Sequence, residues 1–362
     1  MYYKSLIAFI GCLFLTGLKA QWVSLNHQEI RQLQKLISTD SSAEKRYREM
    51  ENKANAALTQ MPRPVDTIIS EGHLATDPKK INTVKSLADM QKIYSLAIVY
   101  QITKKKEYRN KCVEFLLAWA RTNRGVGNPI NDTKLDAVWE SYDLLKKEIS
   151  RNNRAIIEQW MKQVADAEIS VFLAKKSNKS TFNNWNSHRI KVVGLIAYAL
   201  NNVAYQTYTD SSIRIQIREN LYPDGSGMDF KDRDALHYHI YTLEPLLKIA
   251  TVIKRATGKD YFTYQSPSGS SIQQSVAFLV PFATGKEIHH EFVNSKVSFD
   301  RKRADNKEPG YTIGADFQPA TAEDALSYAA WFDDADTPIV QKLLHTDERY
   351  PNWQLLLNAA RR

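Results

Sequence analysis

The chain has 362 residues, is 43% hydrophobic and carries seven Trp, 18 Tyr and 13 Phe; that is enough for a sizeable core and speaks against a disordered polypeptide. Its net charge of +9 favours acidic partners through long-range attraction. Cys12 and Cys112 are its two cysteines, which excludes a disulfide-stapled scaffold.

The opening "MYYKSLIAFIGCLFLTGLKAQW" has Lys4, an apolar run from Leu6 to Leu18, and Ala20 ahead of Gln21. This is the pattern of a secretory signal, and the run is too short for a comfortable membrane span. The expected division is residues 1–20 as signal peptide and 21–362 as a single domain, exported to a periplasm or to the medium. Removing Lys4 and Lys19 leaves 47 Lys+Arg against 40 Asp+Glu. No later stretch is apolar and long enough to span a bilayer, so no integral membrane segment is expected after signal removal. A mildly basic exported protein points away from nucleic acid and towards an acidic polysaccharide. Cys112, left alone within "KCVEFLLAWA", reads as a small buried core residue.

Helical periodicity dominates the chain after residue 27. The run 84–103 places Leu87, Met90, Ile93, Leu96, Ala97 and Tyr100 on one stripe, and 108–123 does the same with Cys112, Phe115, Leu116 and Trp119. Further amphipathic runs cover 27–60, 133–149, 152–175, 186–203, 211–220 and 232–256. The loops between them are short. Two stretches, "IVYQITKKKEY" (98–108) and "TVIKRATGKDY" (251–261), each end a helix, turn on basic residues and restart at Tyr, as stacked helical hairpins would. Sequential hairpins without strand punctuation predict an all-α domain. From about residue 276 the pattern loosens, and "IHHEFVNSKVSFDRKR" reads as strand or extended chain.

Four stretches carry candidate chemistry. In "EGHLATDPKK" (71–80), a loop bears His73, Lys79 and Lys80; it reads as a solvated loop, with a lid over an anionic ligand as the functional alternative. In "GNPINDTKLDAVWESYDLL" (127–145), Asn131 stands near a helix start and Glu140 reads as an exposed helix residue. In "STFNNWNSHRIKVVGLIAYAL" (180–200), Asn183, Asn184 and Asn186 surround Trp185, and His188 follows Asn184 by four. One asparagine serves as a cap; three of them with a Trp and a His exceed what capping needs and suit a sugar-binding cleft. In "DRDALHYHIY" (232–241), a helix starting between Asp229 and Asp232 stacks Arg233, His237 and Tyr241 on one face. Tyr238 flanks that face and His239 points elsewhere. Arg233 repels a cation and Tyr is a poor zinc ligand, so no metal is expected. A guanidinium, an imidazole and a phenol instead offer a charge clamp and two proton carriers, unless their polar tips merely reach solvent. Lys296, Arg301 and Arg303 are candidates for a cleft wall.

"NNW" with a nearby His, followed by "RDALHYHIYTLEPLL", "LLAWA", "NPINDTKL" and "HEFVNSKV", resembles the alginate-lyase type of polysaccharide lyase, most similar to polysaccharide lyase family thirty-eight and more distantly to family five. The resemblance covers most of the chain beyond residue 20. It implies an incomplete α/α toroid of helical hairpins with a less regular C-terminal part, and cofactor-free β-elimination on a polyuronate, mannuronate-type alginate or glucuronan. Residue by residue, it gives Tyr241 as base and acid, with Asn184 and His188 clamping the carboxylate, His188 also a second base. The family-five arginine stands seven residues before the Tyr, where this chain has Asp234, so Arg233 is its substitute. Asn183, Trp185, His237, His239, Tyr238, Asn131 and Lys296 would bind substrate. Two rivals remain: a glycoside hydrolase on a similar toroid, pairing Glu140 with Asp229 or Asp234, and a noncatalytic glycan-binding protein using Trp185 and the basic loops.

Overall fold

The structure is a computed structural model and describes residues 21–174 and 179–362. The expected signal peptide, residues 1–20, lies outside the described residues. The helices are α1 (His27–Thr39), α2 (Ser41–Ala57), α3 (Pro78–Thr103), α4 (Lys106–Thr122), α5 (Pro129–Asp132), α6 (Asp136–Leu145), α7 (Arg151–Ala174) and α8 (Asn184–Leu200). They continue as α9 (Val203–Asn220), α10 (Met228–Arg233), α11 (Leu236–Thr257), α12 (Ile272–Ala283), α13 (Ser298–Asp305), α14 (Glu323–Ala329), α15 (Thr337–Leu343) and α16 (Trp353–Ala360). Among the described residues extended pairing is limited to two isolated bridges, Leu221 with Gly227 and His290 with Asp316. None of their helices is long and apolar enough to cross a membrane.

The helices form two layers of a toroid. An inner succession runs α3, α6, α8, α11 and α14, each packed on the next, while α4, α7, α9 and α12 pack outside it. From α14 the chain reaches α16, which returns to α1 and α2. The apolar stripes account for this order: Ile93, Leu96, Phe115, Leu116 and Trp119 are fully buried between α3 and its neighbours. Cys112 is buried among them, its thiol pushed up by burial. Helix α8 is buried on nearly every face, as expected of a helix with partners all round.

At Gly194 the approach of α8 to α11 leaves no room. A Cβ there would lie 2.4 Å from Ile249 Cδ1 and 2.9 Å from Thr209 Cγ2. Gly194→Ala is therefore expected to destabilise by about 1–3 kcal/mol through overpacking, despite alanine's better helix propensity. An unchanged denaturation midpoint would show that this helix pair is not tightly docked.

Several boundaries differ from the sequence reading. The run 27–60 breaks at Asp40, which is extended and caps α2 by accepting from Ser42 and Ala43 N–H. The hairpin resemblance holds at Lys104, which is left-handed (φ 57°) and followed at once by α4. It fails at Tyr261, where no helix restarts before Ile272. The run 232–256 is two helices, not one: α10 stops at Arg233, Asp234 turns left-handed (φ 49°), and Ala235 is extended before α11 begins. A small polar side chain tolerates that turn without glycine.

Candidate active site

The N-terminal turns of α3, α8 and α11 come together at one end of the toroid. Lys80 stands in the first turn of α3, Asn184 and Trp185 open α8, and His237 and Tyr238 open α11. All five line one cleft of about 360 Å3, with Tyr241, Arg233, Lys134, Arg303 and Tyr311. The positive dipole ends of these helices converge here, although Asp77, Asn183 and Glu291 already accept from first-turn N–H groups. The lining side chains add Lys80, Lys134, Arg233 and Arg303; Glu71 is the one carboxylate among the described lining residues.

The three asparagines separate by environment. Asn183 caps α8, its side-chain oxygen accepting from Trp185 N–H at 3.1 Å. Asn186 is buried against Gln216 Oε1 at 2.7 Å. The expected substrate contact of Asn183 yields to its capping role, and Asn184 alone of the three lines the cleft. Its amide donates to the buried carboxylate of Asp229. Asp229 also accepts from Asn220 Nδ2 and Thr242 Oγ1, both at 2.9 Å. Burial raises the Asp229 pKa, while these donors oppose the shift. Asp229 thus holds Asn184 in place.

Tyr241 lies in the cleft wall, and its hydroxyl bonds to none of the described residues. His188 packs behind it, ring centroids 4.2 Å apart, with Nδ1 2.9 Å from Thr133 Oγ1 and a buried Nε2 without a hydrogen-bond partner. Burial and the nearby Lys191 and Lys134 hold the His188 pKa far below the usual imidazole range. The Tyr241 carbonyl works weakly the other way; Pro245, four residues on, has no N–H to occupy that carbonyl. Burial, then Glu244, pushes the Tyr241 phenol well above its ordinary pKa, with Arg303 pulling it down. Both groups are neutral near pH 7.

His237 stacks nearly parallel to Tyr241, at 6.4 Å. Burial, Arg303 and Arg233 lower its pKa to about 4. Tyr238 lines the cleft beside it and shares a 3.2 Å hydroxyl contact with Tyr311. Arg233, although on a different helix from Tyr241, still reaches the cleft, its Nη1 on Asp300 Oδ1 at 2.5 Å.

Three expected substrate contacts are corrected. His239 is fully buried on the far side of α11, its Nε2 on the Ser275 carbonyl at 2.9 Å. Lys296 is exposed and beside Asp232 at 3.6 Å, away from the cleft. Asn131 is buried; its Oδ1 accepts from Ser70 N–H (3.0 Å), Ser70 Oγ (2.7 Å) and Glu71 N–H (3.2 Å), so it holds a wall loop. Glu140, expected on the surface, lines a neighbouring cleft and pairs with Lys248 at 2.9 Å. Asp229 and Asp234 are likewise engaged by protein donors, so the carboxylate pair a hydrolase needs does not face this cleft. Among the described residues no three His, Cys, Asp or Glu side chains gather into a metal-binding group.

The sequence reading missed Lys134, Tyr311 and Phe299 altogether. Lys134 reaches water through the cleft mouth yet is walled by protein, and this with Lys191 lowers its pKa. Its place inside the motif "NPINDTKL", three residues after Asn131, was the available signal.

Buried His239 also makes a pH prediction. Its folded pKa is lowered to about 4 by burial, so the unfolded chain takes its proton near pH 6.5 and the native chain does not. The stability this group supports is complete above pH 6.5 and falls by up to about 3 kcal/mol as pH drops towards 4. His239→Gln removes that dependence. The stability gap between wild type and variant should therefore narrow from pH 7 to pH 4 in chemical denaturation; a pH-independent gap would contradict neutral burial.

Comparison with solved structures places this architecture among the α/α toroid lyases. An alginate lyase from Bacteroides ovatus is similar over 94% of this chain and 98% of its own, with a TM-score of 0.66 at 14% identity. Alginate lyase A1-III from Sphingomonas species A1 matches 87% of this chain and 89% of its own, with a TM-score of 0.58 at 17% identity. A variant of A1-III complexed with a tetrasaccharide matches 84% of this chain and 86% of its own, at 18% identity and a TM-score of 0.58. Comparison with curated proteins gives no match. The alginate lyase family model matches residues 32–289, and the chain belongs to that family of polysaccharide lyases.

Proposed function

We propose that the protein cleaves a polyuronate by β-elimination at Tyr241, leaving a 4,5-unsaturated uronate end. The observation that carries this reading is the Tyr241 phenol, without a hydrogen-bond partner among the described residues, in a cleft whose described lining has four basic side chains and one carboxylate. The C5 proton of a uronate is weakly acidic while its carboxylate is ionised. Asn184, with one amide N–H on Asp229 and the other free for a ligand, and the cationic wall stabilise the charge that builds as that proton leaves. Tyr241 takes the C5 proton as phenolate; the C4–O4 bond breaks, and the same phenol returns a proton to O4. His188 stays neutral, packs behind Tyr241 and is a positioning residue in this scheme, in place of the clamp or second base implied by the resemblance.

One proton carrier on one wall serves sugars whose C5 hydrogen and O4 lie on the same side. Mannuronate and glucuronate have that arrangement; guluronate, the C5 epimer of mannuronate, does not. Lys134 and Lys80 add charge to one part of the wall and Arg303 to another, which suits a ligand with successive carboxylates. The amino-terminal sequence supports export, placing the enzyme in the periplasm or medium. Initial rates on mannuronate-rich and guluronate-rich alginate, glucuronan and hyaluronan test the substrate class. Mannuronan or glucuronan should be cut fastest, and a preference for guluronate-rich blocks would rule out the same-side scheme.

A further inference from the structure

The stretch that matches the family ends at His289, yet part of the cleft wall lies beyond it. Phe299 and Arg303 on α13 and Tyr311 after it line the cleft with Tyr241. Asp234, standing where the resemblance puts an arginine, helps to dock this segment. Its carboxylate accepts from Asn294 N–H at 2.8 Å and Nδ2 at 3.0 Å. Its carbonyl accepts from Phe292 N–H at 2.6 Å and His289 Nε2 at 3.1 Å. Glu291 in turn accepts the first N–H groups of α11, Leu236 at 2.8 Å and His237 at 3.2 Å. The segment 289–294 is thus tied to the start of the helix that bears Tyr241, and it leads into α13.

The two arginines differ in how their charge is used. Arg233 pairs with Asp300, whose side chain is 1% exposed, and its guanidinium lies 3.8 Å from the Tyr238 ring centre. A buried carboxylate in hydrogen-bond contact largely cancels that charge for any ligand. Arg303 is fixed mainly by neutral groups: Nη1 donates to Tyr238 OH at 2.8 Å and Tyr311 OH at 2.9 Å. Glu308 stands 3.6 Å from Nε without a hydrogen bond, and buried Nε has no hydrogen-bond partner. Among the described residues Nη2 has no acceptor. The two phenols hold the guanidinium in place, buried Glu308 offsets its charge less than a hydrogen-bonded carboxylate would, and Nη2 is left as the donor for a ligand carboxylate. Arg303 is also the cation that lowers the pKa of Tyr241, and it acts on His237 more strongly than Arg233 does.

We propose that Arg303, supplied from beyond the family-matching stretch, is the cation that faces the reacting uronate beside Tyr241. Arg233 is then a positioning residue that anchors α13 through Asp300. This rests on the polyuronate-lyase reading. Arg303 neutralises a bound carboxylate and stabilises the Tyr241 phenolate, so its loss affects both binding and the pH at which Tyr241 can act.

The test compares full-length wild type, Arg303→Gln, Arg303→Lys and Arg233→Gln. It reads elimination rates against pH, melting temperature, and binding of an uncut mannuronate oligosaccharide in the Tyr241→Phe background. Arg303→Gln should lower kcat/KM at least about tenfold, as expected for a lost charge-assisted hydrogen bond, weaken binding, and move the rising limb of the pH profile to higher pH. Arg303→Lys should keep the limb near its wild-type position while losing the bonds to the two phenols, and it still decides the matter if the Gln variant fails to fold. Arg303 variants with wild-type rates, binding and pH profile would overturn this inference alone. So would a limb shift confined to Arg233→Gln. A wild-type protein that neither cuts nor binds any polyuronate would remove the functional reading and this inference with it.

Discussion

Tyr241→Phe is expected to remove at least about three orders of magnitude of kcat, because one hydroxyl is both the base at C5 and the acid at O4. The fold should be unaffected. The Tyr241 hydroxyl bonds to none of the described residues, so its deletion breaks no internal bond, and the ring contacts with His188 and His237 survive in phenylalanine. The melting temperature should stay near that of wild type, and oligosaccharide binding should persist. The wild-type rate should climb from neutral to alkaline pH, since burial keeps the phenol protonated at neutrality. No rate step should appear near pH 6.5, because His188 and His237 are already neutral there. A Phe variant with more than about a tenth of wild-type kcat would place the proton transfer elsewhere.

Asn184→Ala carries the second large effect, a fall of about 10²–10³ in kcat, the usual cost of losing one donor to developing negative charge. KM should change much less, since Lys80, Lys134 and Arg303 remain in the cleft. A stability cost of about 1–3 kcal/mol is also expected, because buried Asp229 loses one of its three side-chain donors. Asp229→Asn separates the two contributions. It keeps the volume but sets an amide against the Asn184 amide, so kcat should fall with the chain still folded. Kinetics of Asn184→Ala within a few-fold of wild type would show that this amide does not meet the charge.

These outcomes depend on features that differ in how far they can be read from residues alone. The stripes of α3 and α4 were legible because apolar side chains recur at the helical period, and the Tyr241 face because His237 and Tyr241 are one turn apart within α11. The break before α11 was not, because Asp234 makes a left-handed turn without the glycine that would advertise it. Arg233 reaches the cleft from a separate short helix, a coincidence of tertiary packing and not of spacing. Three clustered asparagines looked equivalent in the chain; only the buried partners Asp229 and Gln216 distinguish them. Helical spacing alone set His239 off the face of His237, and two residues further round the helix it lies against Ser275, away from the cleft, despite its place in the motif. Tyr311 was the least legible, since it lies 70 positions from Tyr241 in a segment with weak periodicity, while Arg303 was legible as a cleft-wall candidate but not its partners. Their pairing through Tyr238 depends on the docking of residues 289–294, a long-range event that no local pattern encodes.

The central claim, elimination by this cleft, has one direct measurement. Purified protein is incubated with mannuronate-rich alginate while ultraviolet absorbance of the conjugated double bond and new reducing ends are followed together. The two signals should rise in equal molar amounts in wild type, and both should vanish in Tyr241→Phe. Reducing ends appearing without the absorbance would mean hydrolysis and contradict the account.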